Sequence, residues 1–257
     1  MKAHPTAVID PAARIADDVE IGAYSIIGPK VTLGPGTYVG PHVVIKGRTT
    51  IGRDNRFYQF SSIGEVPQDK KYGGEDTELL IGDNNSVREF CTFNTGTVQG
   101  GGVTRIGNNN WIMAYVHIAH DCIIGNEVIM ANNSTLGGHC TVGDYAILSG
   151  FSLVHQYVEI GTHSFVSFAS HVNQSIPPYV TVAGEKARAK GVNTEGLKRR
   201  GFTPEQIQNI RRAYRALYRS GLPLEEAREK LTEMAREAVE IAPLVAFLSH
   251  VERSIIR

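Results

Sequence analysis

Six of the nine histidines lie between positions 117 and 171: His117, His120, His139, His155, His163 and His171. Imidazole titrates near neutral pH, so it can take and return a proton, or bind a metal through a neutral ring nitrogen. His120 is followed by Asp121, a carboxylate able to hold its tautomer. Gly138 and His139 stand 18 positions further on, and His155 and Gln156 follow them. Three readings are open. In an acid–base site, one imidazole takes the proton of a hydroxyl, and Gly138, bare of side chain, offers its N–H to a developing oxyanion. In a zinc site, imidazoles of neighbouring segments, or of two subunits, hold the metal. In the third, polar residues merely occupy an exposed edge. No cysteine or carboxylate motif of fixed ligand spacing supports the metal, and the acid–base reading is preferred because it uses the glycine as well. No G-x-S-x-G motif marks a covalent nucleophile.

A spacing of 18 matters only if the chain returns to itself every 18 residues, and a six-residue period says that it does. Aliphatic or aromatic residues recur at Ile9, Ile15, Ile21, Ile27, Leu33, Val39, Ile45, Ile51, Phe57 and Ile63. They return at Ile81, Val87 and Phe93, slip by one residue, and run from Ile106 through Met130 and Leu148 to Val172. Glycine often comes next, as at Gly22, Gly34, Gly107 and Gly143. A helix has no period of six and a strand alternates with period two. Hexapeptide recurrence signifies a parallel β-helix in which three short strands close one triangular coil. His120, Asp121, Gly138, His139, His155 and Gln156 then share one edge of successive coils, about 4.8 Å apart.

Two segments break the period and should leave the coil as loops: residues 64–80, GEVPQDKKYGGEDTELL, and residues 99–105, QGGGVTR. The β-helix is expected over residues 1–183. A basic connector, GEKARAKGVNTEGLKRRG, opens a helical region over residues 184–257. Thr203-Pro204-Glu205-Gln206 reads as a capping box that starts a helix. LEEAREKLTEMAREAVE is a second helix, and a third starts at Pro243.

The 257 residues carry 26 Lys and Arg against 26 Asp and Glu, so the basic excess of a nucleic-acid binder is absent. No apolar run approaches the length of a membrane span, and the opening MKAHPTAVIDPAARIADD lacks the apolar stretch of a signal peptide. The 3 cysteines form no disulfide framework. Cys122 and Cys140 stack as reduced fillers, and the expected setting is cytoplasmic.

AHDCIIGNEVIMANNSTLGGH, LVHQ, the loop GEVPQDKKY and the connector GVNTEGLKRRGF resemble the UDP-N-acetylglucosamine O-acyltransferase family, across essentially the whole chain. The resemblance implies a left-handed parallel β-helix with a small α-helical C-terminal domain, assembled as a homotrimer. It implies transfer of an (R)-3-hydroxyacyl group from acyl carrier protein to the 3-hydroxyl of UDP-N-acetylglucosamine, in lipid A biosynthesis, with no metal or free cofactor. His120 is then the general base, Asp121 its orienting partner and Gly138 the oxyanion donor. Gln68, Asp69 and Lys71 line the substrate or acyl entrance. His117, His139, His155 and Gln156 bind the nucleotide sugar or acyl group. Asn193, Glu195, Arg199 and Arg200 contact the uridine diphosphate. Phe168, with His171, limits acyl length at about 13 Å from His120 along the axis, which suits roughly ten to twelve carbons. The arginines at 211, 212, 215 and 219 would meet the acidic carrier protein. The chain departs from the family at Phe93-Asn94, where a His-Arg pair is common, and Lys186 and Arg188 fall where relatives vary. Two other classes are separable by measurement: a β-helical carbonic anhydrase would carry zinc, and a non-catalytic scaffold would bind partners through its helical tail.

Overall fold

The computed structural model describes all 257 residues. Short parallel strands stack into sheets of eleven, nine and eight strands, which form the three faces of a triangular coil. The register is the 18-residue turn: Lys2 pairs with Glu20, Val8 with Ile26 and Arg14 with Thr32. From Ile21 to Val172 the periodic residues point into the prism and are buried, while Ile9 and Ile15 at the open end are half-buried. The fold is a left-handed parallel β-helix with a small helical C-terminal part.

Glycine follows the core residue because successive coils nearly touch there. A Cβ at Gly34 would stand 2.5 Å from the Gly52 carbonyl oxygen. The corners turn through left-handed residues that are not glycine, such as Tyr24, His42, Asp121 and His139, with φ of 58°, 56°, 60° and 61°. That conformation costs about 1–2 kcal/mol per residue. Side chains stacked along the axis offset it. The rings of Tyr24, His42, Phe60, Phe90 and Tyr115 form one such stack, with neighbouring centroids 4.7 to 5.2 Å apart.

The two interruptions enlarge single coils. Arg48 pairs with Glu78, 30 positions on, and Glu78 pairs with Val103, 25 on. The first loop is shorter than the broken period suggested, and the second is shifted towards the N-terminus. Strands Ser62–Glu65 and Glu78–Ile81 keep the ends of the first in the ladder and leave residues 66–77 outside. The second spans residues 95–102, with Thr97 capping a 3₁₀ turn at Val98–Gly100, and residues 103–105 of the expected loop belong to strand Val103–Ile106.

The connector is not irregular. Arg188–Val192 pairs antiparallel with Val180–Ala183, and Thr194–Arg199 forms helix α1. Helix α2, Pro204–Tyr218, carries the expected capping box between Thr203 and Gln206. Helix α3 spans Leu224–Glu237 and α4 spans Ala242–His250. The last helix, which opens next to the expected Pro243, ends at His250 because the tail turns back to pair with the last coil. Ile255 bridges to Ser175, and the Arg253 guanidinium donates to the Gln156 and Asn173 carbonyls at 2.8 and 2.9 Å. No helix is long and apolar enough to cross a membrane.

Candidate active site

His120 and Asp121 sit on the edge between the nine-stranded and eight-stranded faces, just after strand His117–Ile118. One coil on, Gly138 and His139 occupy the same edge. His120 Nδ1 lies 2.8 Å from Asp121 Oδ2. Its side chain keeps 14% exposure, whereas that of Asp121 keeps 1%. The His139 ring meets that of His120 edge-on at 5.1 Å, stacks on Tyr157 at 4.4 Å, and brings Nε2 to 3.7 Å from Asp121 Oδ2. His120 Nε2 makes no hydrogen bond within the chain.

Gly138 is glycine because of His120. A Cβ there would stand 2.5 Å from His120 Cε1 and 2.7 Å from Nε2. At the same corner position other coils use Pro11, Pro29, Pro35 and Pro41, residues without an N–H. The ladder therefore does not use that amide. At Gly138 it is present, donates to nothing within the chain, and lies beside the imidazole.

The insertions close over this edge. The Thr97 amide donates to Asp121 Oδ1 at 2.7 Å, and its hydroxyl donates to Oδ2 at 2.6 Å. The first loop carries Asp69, whose charge reaches His139. Asp69 also accepts from the Lys71 amide at 3.0 Å, while Gln68 and Lys71 extend into solvent. The Phe93-Asn94 departure has a structural role: Phe93 fills the core, and the Asn94 amide donates to the Val66 carbonyl at 2.9 Å, bracing the base of that loop.

The surroundings of His117 and His139 disfavour their protonated forms. Burial lowers the proton affinity of both, and for His139 it outweighs the pull of Asp121. The Thr92 hydroxyl meets His117 Nδ1 at 2.7 Å. His120, Asp121 and His139 each bring a metal-ligating atom within 4.8 Å of the others. Thr97 and His120 already engage the carboxylate, an arrangement suited to moving a proton. Cys122, next to Asp121 in the chain, points inward and gives its thiol to the Gly137 carbonyl at 3.2 Å.

The other expected site residues divide between two places. Asn193, Glu195, Arg199 and Arg200 line a cavity of about 630 Å³ against the eleven-stranded face. Asn193 caps α1, accepting from the Gly196 amide at 3.1 Å and donating to the His163 carbonyl at 2.9 Å. Arg200 pairs with Glu127 at 3.2 Å and lies over the Tyr145 ring at 4.7 Å. Arg199 has no ion-pair partner in the chain. His163, between Tyr145 and Tyr179, also lines this wall. Burial, and then the Arg200 charge, push its pKa down to about 4. No role was read for Glu127, Tyr145 or His163, yet they are 18 apart, and the same register arithmetic stacks them. Within one chain this cavity and the His120 edge lie on different parts of the prism.

His155, Gln156 and His171 line a cavity of about 620 Å³ on the nine-stranded face, together with Gly137, Thr135 and Leu153. His117, Thr135, Leu153 and His171 follow one another along that face in the strand ladder. Phe168 is 66% exposed at the next edge, against Phe151 at 5.6 Å, and is not part of that lining.

Comparison with known proteins places two families on the chain. "Udp N-acetylglucosamine O-acyltransferase; Domain 2" matches residues 176–256, and "Bacterial transferase hexapeptide (six repeats)" matches residues 104–138. The acyl-[acyl-carrier-protein]–UDP-N-acetylglucosamine O-acyltransferase of Herminiimonas arsenicoxydans is 53% identical over 258 aligned positions, 99% of this chain and 98% of the relative. That of Thiobacillus denitrificans is 56% identical over 254, with coverages of 99% and 98%. The crystal structure of the UDP-N-acetylglucosamine O-acyltransferase of Moraxella catarrhalis superposes with a TM-score of 0.98 at 44% identity, covering 100% of both chains.

Proposed function

The chain belongs to the UDP-N-acetylglucosamine O-acyltransferase family, and we propose that it moves an (R)-3-hydroxyacyl group from acyl carrier protein to the 3-hydroxyl of UDP-N-acetylglucosamine, in lipid A biosynthesis. The observation that carries the chemistry is the juxtaposition of His120 Nε2 with the unused Gly138 amide. Asp121, accepting from Nδ1–H, leaves the lone pair on Nε2. Nε2 takes the proton of the sugar hydroxyl as its oxygen bonds to the thioester carbonyl carbon. The tetrahedral oxyanion accepts from the Gly138 N–H. The C–O⁻ bond re-forms its double bond, the C–S bond breaks, and the departing thiolate takes the proton back from His120. Base and hydroxyl held together make a covalent enzyme intermediate unnecessary.

The cavity of Asn193, Glu195, Arg199 and Arg200 suits the uridine diphosphate, with Arg199 as the free fork for phosphate. The nine-stranded face from His117 past Leu153 to His171 suits the acyl tail, three coils or about 14 Å long. Since nucleotide cavity and base lie apart in one chain, the active unit is a homotrimer that joins one protomer's edge to another's face. The exposed rings of Tyr24, Phe60, Phe90 and Tyr115 support such packing. Arg211, Arg212 and Arg215 are exposed on α2 and Arg219 at its C-cap, where an acidic carrier protein would be steered. Three free, buried cysteines fit a cytoplasmic setting.

The test is the reaction itself. Purified chain, (R)-3-hydroxyacyl carrier protein and UDP-N-acetylglucosamine should yield one acylated nucleotide sugar per thiol released. Thiol release without acylated sugar, or no turnover with any 3-hydroxyacyl donor, would overturn the reading.

A further inference from the structure

We propose that Thr97 is a positioning residue for His120 and Asp121, and that the second insertion exists to carry it. This rests on the reading of His120 as the base. An uninterrupted coil would stack position 103 against Asp121. The chain instead spends seven further residues there, since Glu78 pairs with Val103 at 25 positions rather than 18. Ordering such a loop opposes folding, and its glycines are committed to it. Gly101 and Gly102 hold left-handed φ of 92° and 81°. A Cβ on Gly100 would stand 2.1 Å from Asp121 Cγ, so the turn is pressed onto the carboxylate.

The hydrogen bonds give the turn its role. A carboxylate only accepts, so the Thr97 amide and hydroxyl must donate, to Oδ1 and Oδ2. The hydroxyl in turn accepts from the Gly100 amide at 3.2 Å, which fixes its direction. Thr97 is 1% exposed. The Asp121 amide donates to Thr104 Oγ1 at 2.8 Å, which secures the backbone below. Asp121 then faces His120 Nδ1 at 2.8 Å rather than its competitor, His139 Nε2, at 3.7 Å. Without the Thr97 hydroxyl the carboxylate is free to swing to His139. His120 would then lose the partner that keeps its proton on Nδ1.

The experiment compares Thr97→Val with Thr97→Ser in the full-length protein. Each is assayed for kcat and for both KM values, and the ¹⁵N imidazole spectrum reports the His120 tautomer. The account expects Thr97→Val to lose about 10- to 100-fold in kcat, the usual consequence of removing a hydrogen bond to a charged group, with both KM values unchanged. Its His120 should pass from a single Nδ1–H tautomer to a mixture, and Thr97→Ser should restore both properties. Gly100→Ala, whose Cβ would press on the Asp121 carboxylate, should reproduce the Val phenotype if Thr97→Val fails to fold. Wild-type kcat with an unchanged tautomer in Thr97→Val, or a Ser variant as damaged as the Val variant, overturns the proposal. If the wild-type protein proves inactive in acyl transfer while Thr97→Val still scrambles the His120 tautomer, the functional reading fails and the clamp stands.

Discussion

The imidazole of His120 occupies the space that a Cβ at position 138 would need, with Cε1 only 2.5 Å from that point. The ring and residue 138 are thus packed against each other, and any side chain at 138 would have to displace the imidazole. Gly138→Ala should leave the coil folded, because the obstructing atoms belong to a side chain that can rotate away. Alanine keeps the backbone N–H, so the variant acts by pushing the His120 ring out of place, and it should lower kcat by about 10²–10⁴, the range for losing a positioned base. Turnover and thermal melting measured on the same preparation check this. Unimpaired turnover would show that the reaction does not need His120 held where it now packs against residue 138.

Arg199 is the uncommitted cation of the cavity proposed for the nucleotide, whereas Arg200 is held by Glu127 and Tyr145. Arg199→Ala should weaken UDP binding by about 10- to 100-fold, as expected for losing a charge-assisted hydrogen bond. kcat at saturating nucleotide sugar should be preserved. Calorimetric titration with UDP reads the first effect, and unchanged affinity would place the diphosphate elsewhere.

His163 supplies a pH dependence of stability. Burial, with help from the Arg200 charge, holds its folded pKa at about 4, while an unfolded histidine titrates near about 6.5. The unfolded chain therefore binds more protons in that interval. The contribution is intact above about 6.5 and is lost as pH falls towards about 4. His163→Phe keeps the stack between Tyr145 and Tyr179 and removes the titration, so its denaturation midpoint should fall less steeply over this window. His117 and His139, whose proton affinities are also lowered by burial, leave a residual slope. A variant with the wild-type slope would show that His163 does not govern it.

Phe168 projects at the edge beside Phe151, with its ring 3.0 Å from where a Cβ on Gly150 would be. If a neighbouring protomer's acyl chain ends against it, Phe168→Gly should shift preference to longer 3-hydroxyacyl donors, each added buried methylene being worth about 0.8 kcal/mol. Competition between donors of graded length measures this. An unchanged ranking would leave His171, at the end of the nine-stranded face, as the candidate.

The coil was readable because an interior position admits one chemistry. Ile112, Ile118 and Ile124 repeat since each enters the same core. The 18-residue turn then placed Gly138 and His139 beside His120 and Asp121 by counting. The handedness is not contained in the period. Thr97 was unreadable because it lies just ahead of the insert expected at residues 99–105, where the period has already broken and no register says what it faces. Arg188–Val192, polar and glycine-containing, looks like a linker and becomes a strand only because Val180–Ala183 offers an open edge. The return of Ile255 to Ser175 is likewise a tertiary pairing without local signal.

The central claim is that His120 is the general base of acyl transfer. Its most direct test is the kcat of His120→Ala, with folding verified by circular dichroism and assembly by sedimentation. An edge imidazole adds little to the core, so the protein should stay folded while turnover falls by about 10²–10⁴-fold, the contribution of a positioned base. A folded His120→Ala protein with near-normal kcat would contradict the account.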